Sequence, residues 1–124
     1  MFADPELSAF VRQHIRSVWA LELLLQLRSD PARVWRKEDL VAQLRATAGI
    51  VEDNLARFER SELVVLEGPD TYRYAPASAV LVDLCAKLDR AYRERPVAVI
   101  NLISRPPDSI QSLADAFKFR GDDA

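Results

Sequence analysis

The stretch from Ile50 to Pro76 constrains the fold more than any other part of this chain. Val51, Leu55 and Phe58 recur at spacings of four and three, which sets them on one face of a short helix. Leu63-Val64-Val65-Leu66 then reads as a strand by its β-branched content. Gly68-Pro69-Asp70 is turn chemistry, and Tyr72-Arg73-Tyr74 is the returning strand. Tyr72 and Tyr74 share one face of that strand while Arg73 points to the other. A helix that leads directly into a hairpin is a compact unit, and the rest of the chain must be arranged around it.

Upstream, Asp4-Pro5-Glu6 marks a helix start. Asp suits the N-cap, Pro the first helical position, and Glu the positive end of the helix dipole. Leu7, Phe10, Val11, Ile15, Val18, Trp19 and Leu23 continue at helical spacing, with Arg12, Gln13 and Arg16 outside the stripe. From Ala20 to Leu27 the segment is apolar almost all round, so one helix is expected to run through the centre of the domain until Ser29-Asp30-Pro31 ends it. After Val34-Trp35, Leu40, Val41 and Leu44 form the apolar stripe of a second helix over Arg36–Arg45. The break at Thr47-Ala48-Gly49 separates it from the helix containing Leu55. Two short helices joined by a few residues with a small residue in the turn make a helix-turn-helix.

Downstream, Ser78 is a candidate cap for a helix with Val80, Leu81, Leu84, Cys85, Leu88 and Tyr92 on its apolar side. Pro96 either stops that helix or starts the next, Val97-Ala98-Val99-Ile100-Asn101-Leu102-Ile103. Arg105-Pro106-Pro107 breaks the chain again, and a last amphipathic helix over roughly residues 108–118 carries Ile110, Leu113 and Phe117. The expected fold class is mainly α with a small β-hairpin. The expected division is a core over residues 1–76 and a helical extension over 77–124.

Composition excludes several function classes. The 124 residues carry a net charge of −2, which lacks the basic footprint usual for nucleic-acid binding. Cys85 stands alone, so neither a disulfide framework nor a cysteine zinc site is available, and Leu81, Leu84 and Leu88 make it a packed thiol. His14 is the single histidine and has no partner at metal-ligand spacing. Neither phosphate-binding glycine loops nor a nucleophile elbow occurs. No enzyme, metal or cofactor is expected. No secretory signal precedes the first helix, and no apolar run approaches the ~20 residues of a membrane span, so no membrane association and a cytoplasmic location are the expectations.

Residues 7–76 resemble a winged helix-turn-helix domain of the bacterial transcription-regulator superfamily. The residues that carry the resemblance are Trp35, Glu38-Asp39-Leu40-Val41 with Leu44, then Val51 with Leu55 and Phe58, then Leu63-Val64 and Tyr72-Arg73-Tyr74-Ala75-Pro76. The tail, with Arg95-Pro96-Val97-Ala98-Val99-Ile100 and Ala114-Asp115-Ala116-Phe117, resembles small bacterial proteins that append helices to such a domain. The resemblance implies a regulator that binds duplex DNA. Two departures stand out. Relatives usually place Gly at the position of Glu62, because that residue often takes positive φ. From Gly49 to Pro76, the acids Glu52, Asp53, Glu59, Glu62, Glu67 and Asp70 face only Arg57, Arg60 and Arg73, a net of −3.

Two functions follow. In the first, Asn54, Arg57, Arg60 and the wing residue Arg73 contact DNA, backed by Arg36 and Lys37, with Asn54 suited to adenine. Arg33, Arg12 and Arg16 add phosphate contacts if they share that side. In the second, the helix and wing form an acidic surface that docks a protein partner. Val97, Ile100, Leu102, Ile103 and Phe117 then need cover, either from the first helix of the same chain or from the second subunit of a two-fold homodimer.

Overall fold

A computed structural model describes residues 4–104. In chain order the elements are α1 (Pro5–His14), α2 (Val18–Arg28), β1 (Val34–Arg36), α3 (Lys37–Leu44), α4 (Ala48–Arg60), β2 (Val64–Gly68), β3 (Thr71–Tyr74), α5 (Ala79–Glu94) and α6 (Pro96–Ser104). The fold is mainly helical with one small antiparallel sheet.

The N-terminal segment is two helices, where the sequence pattern predicts one. The Asp4 carboxylate accepts from the Leu7 N–H at 3.1 Å and starts α1, as expected. Ile15 then turns extended (φ −112°), and the Ser17 hydroxyl accepts from the Ala20 N–H at 3.1 Å to start α2. Apolar spacing runs across this break because Ile15 is buried although it is extended. The cap decides it: a serine followed by a free N–H three residues on competes with helix continuation. Once started, α2 is central as expected, with Ala20, Leu21, Leu24 and Leu27 fully buried.

The hairpin gains a third strand. β1 pairs with β3 with Trp35 opposite Tyr72, and β2 pairs with β3 with Val64 opposite Tyr74, giving the order β1-β3-β2. Trp35, Tyr74 and Val64 are buried on one face of the sheet. Three residues are too few to show strand periodicity, and β1 is fixed by its long-range pairing instead.

The exit from α4 is a tight reversal. Leu63 N–H donates to the Phe58 carbonyl at 2.9 Å and Glu62 N–H to the Glu59 carbonyl at 3.1 Å. This is the paired closure of a Schellman motif, with Phe58 and Leu63 as its fully buried hydrophobic contact. It requires a left-handed residue, and Glu62 takes φ 64°. The chain thus keeps the backbone conformation for which relatives use Gly, with Glu in its place. Glu62→Gly is therefore expected to stabilise the protein by about 1 kcal/mol, since only glycine occupies this region without a Cβ penalty. A higher urea midpoint at unchanged slope is the readout; a lower midpoint would show that the Glu62 side chain outweighs the strain.

α5 begins where the sequence places it, with the Ser78 hydroxyl accepting from the Leu81 N–H. Pro96 starts α6 rather than ending α5 alone. α6 packs on α1 and α5, burying Val99 and Ile103 in the same core as Leu7, Phe10, Cys85 and Leu88. The buried side of α6 thus faces its own chain. Ile100 and Leu102 are half-buried, and Val97 is 69% exposed. Phe117 and the helix expected over residues 108–118 lie outside the described residues. Polar contacts also tie α5 to α2: Tyr92 donates to Glu22 at 2.8 Å, and Arg28 pairs with Asp89. Cys85 is fully buried, which pushes its thiol pKa up. No helix among the described residues is long and apolar enough to cross a membrane.

Candidate nucleic-acid interface

Three residues separate α3 from α4. Arg45 ends α3 in the left-handed region (φ 55°), and the Thr47 hydroxyl accepts from the Ile50 N–H at 3.2 Å to start α4. The break read at Thr47-Ala48-Gly49 is thus a cap, and α4 begins three residues before its apolar stripe. Val51, Leu55 and Phe58 are buried, as their spacing requires. The opposite side presents Glu52, Asp53, Glu59 and Arg60 to solvent.

The tip of the β2–β3 hairpin is fastened to the helices through Lys37. The Lys37 N–H, the first of α3, donates to the Asp70 carbonyl at the hairpin tip at 3.0 Å. Its ammonium donates to Glu52 Oε2 at 2.6 Å and lies 4.0 Å from Asp70 Oδ1. Asp70 takes φ 57° behind Pro69, a turn position that aspartate tolerates. Lys37 thereby joins the beginnings of both helices to the hairpin tip, and its hydrogen bond to the Glu52 carboxylate raises its pKa. Neither sequence separation nor composition signals this convergence.

The expected DNA contacts fall into three groups. Asn54 is buried at 9% exposure and its Nδ2 donates to the Ile50 carbonyl at 2.9 Å, so its amide is turned back onto the helix instead of outward. Arg57 is half-buried, with a buried Nε that has no hydrogen-bond partner among the described residues. Lys37 and Arg73 are held by carboxylates, Arg73 Nε donating to Glu67 Oε2 at 2.6 Å along the wing. Arg36 is 70% exposed with Glu38 at 3.7 Å, and Arg60 is exposed. Arg33 stacks on the Trp35 ring at 3.7 Å, a cation–π contact that the sequence reading did not anticipate. Arg12 and Arg16 are exposed on and just after α1, the helix that packs on α5 and α6.

Other chemistry is sparse. His14 contacts the Ser61 hydroxyl at 3.0 Å and tilts against Phe10 at 5.1 Å between ring centroids, joining α1 to the end of α4. Its partial burial lowers its pKa. Among the described residues no group of three His, Cys, Asp or Glu is placed to hold a metal ion. An open cleft between the start of α1 and α5 is lined by Asp4, Leu7, Lys87, Arg90 and Arg95, but Lys87 there is already paired with Asp83 and Asp4. Comparison with family models, with curated proteins and with solved structures returned no match.

Proposed function

We propose that this chain is a winged helix-turn-helix regulator that binds duplex DNA through α3, α4 and the β2–β3 wing. The observation that carries the reading is the Lys37 junction. It sets the hairpin tip beside the starts of α3 and α4, so that helix pair and wing make one continuous surface. A helix pair with a short turn and an adjoining wing suits a grooved polyanion, with the start of the second helix nearest the bases. Arg36, at the start of α3, and Arg60, at the end of α4, supply the phosphate contacts, because both are exposed. Asn54 has no part in base reading. Sequence preference rests on groove shape.

Fluorescence anisotropy of a labelled duplex, titrated over a range of salt concentrations, tests this. Affinity should fall steeply with salt. Arg36→Ala and Arg60→Ala should each weaken binding across all sequences and reduce the salt slope by about 1. Salt-insensitive or undetectable binding would overturn the reading.

A second reading is favoured by the four carboxylates at Glu52, Asp53, Glu59 and Asp70, all exposed on the same helix and wing. In it the surface docks a basic protein segment and DNA is not the client. Binding of a lysine-rich peptide that is lost on Glu52→Lys with Asp53→Lys, in a protein that leaves duplex DNA unbound, would establish it. Assembly as a homodimer in the cytoplasm belongs to the regulator reading, with Val97 at the side of α6 left open by its own chain.

A further inference from the structure

We propose that Glu52 is an internal stand-in for a DNA backbone phosphate, and that it keeps Lys37 masked from duplex DNA. The inference rests on the DNA-binding reading above. The Glu52 oxygen sits 2.6 Å from the Lys37 ammonium, the position and separation a phosphate oxygen takes in a charge-assisted contact. The two partners differ in freedom. The Lys37 side chain is only 20% exposed and its backbone is fixed to Asp70, whereas the Glu52 side chain is 50% exposed. The cation is therefore built into the surface and the anion is the exchangeable partner. Asp70 at 4.0 Å is a second carboxylate on the same ammonium, and Glu38, one residue on, adds to the negative field. This explains how a surface with a net acidic helix and wing can retain a phosphate site: one of its acids fills that site. An ammonium already paired with a carboxylate releases no counterion on meeting DNA, so Lys37 adds to affinity only once the Glu52 charge is removed.

The test is a cycle of Glu52→Gln, Lys37→Gln and the double variant, each titrated with a random-sequence labelled duplex over a range of salt concentrations. Asp53→Asn, an exposed neighbour, serves as the control for net charge. Glu52→Gln should tighten binding about five- to tenfold and steepen the plot of log affinity against log salt by about 0.9, the signature of one added phosphate contact. Lys37→Gln in that background should abolish both gains, while Lys37→Gln alone should change little. Asp53→Asn should leave the slope as it is. If Glu52→Gln and Asp53→Asn gain equally with no change in slope, only net charge is at work and the masking is overturned. If the unmodified protein binds duplex and Glu52→Gln does not improve it, the inference fails while the DNA reading stands. If no variant binds duplex at any salt, both fail.

Discussion

Phe58→Ala is expected to lower the unfolding free energy by about 3–5 kcal/mol. The ring is fully buried where α4 packs against α2 and β2, and it is also the partner of Leu63 in the reversal that launches the wing. Truncation therefore leaves a cavity in the core and removes the contact that accompanies the Phe58–Leu63 backbone bond. Because a domain of this size is stabilised by about 5–15 kcal/mol in total, the loss takes a large share of it. Chemical denaturation followed by circular dichroism is the measurement, with a lower midpoint at unchanged slope as the expected result. Glu59→Ala, one residue on and exposed, should shift the midpoint little. A loss below about 1 kcal/mol at Phe58 would mean that α4 does not bury the face its spacing predicts.

The left-handed residue at Glu62 is marked by the resemblance alone, which expects glycine there, and Glu takes φ 64° in its place. The buried face of α4 is readable because Val51, Leu55 and Phe58 encode it locally. The same holds for the caps at Asp4 and Ser78, each a side-chain oxygen three residues before the N–H it accepts. The break at Ser17 obeys the same rule, yet the apolar pattern around Ile15 and Val18 runs on through it. Periodicity reports which residues are buried, and a helix broken at a cap buries nearly the same set. β1 was beyond reach for another reason: Val34–Arg36 is a strand because Thr71–Arg73 lies beside it.

The candidate site was legible in its residue types and illegible in its pairings. The excess of acid over base between Gly49 and Pro76 is a fact of sequence. That Glu52 and Asp70 spend their charge on Lys37, and Glu67 on Arg73, depends on the reversal at Glu62 and the turn at Asp70. Asn54 was misplaced by a single turn of reasoning. Its position near the start of α4 suggested a reading residue, but it lies one residue before Leu55 and three after Val51, and so falls on the edge of the buried stripe. A short amide at such an edge satisfies itself on the carbonyl four residues back.

The two valines of α6 separate the fold from the assembly. Val99 is fully buried against α1 and α5, so Val99→Asp places a charge in the core with no partner for it, and a loss of about 3 kcal/mol or more is expected. Val97 lies two residues away on the same helix and is 69% exposed. Val97→Asp should leave the denaturation midpoint close to that of the unmodified protein, because the charge stays in water. If the proposed homodimer forms through the open side of α6, the same substitution should convert it to monomer in sedimentation equilibrium, since an isologous contact meets each introduced carboxylate twice. A dimer that survives Val97→Asp would move the interface off α6. A midpoint that falls as far for Val97→Asp as for Val99→Asp would mean that α6 is covered on both sides in the folded state, and that stability and assembly are one equilibrium, dependent on protein concentration.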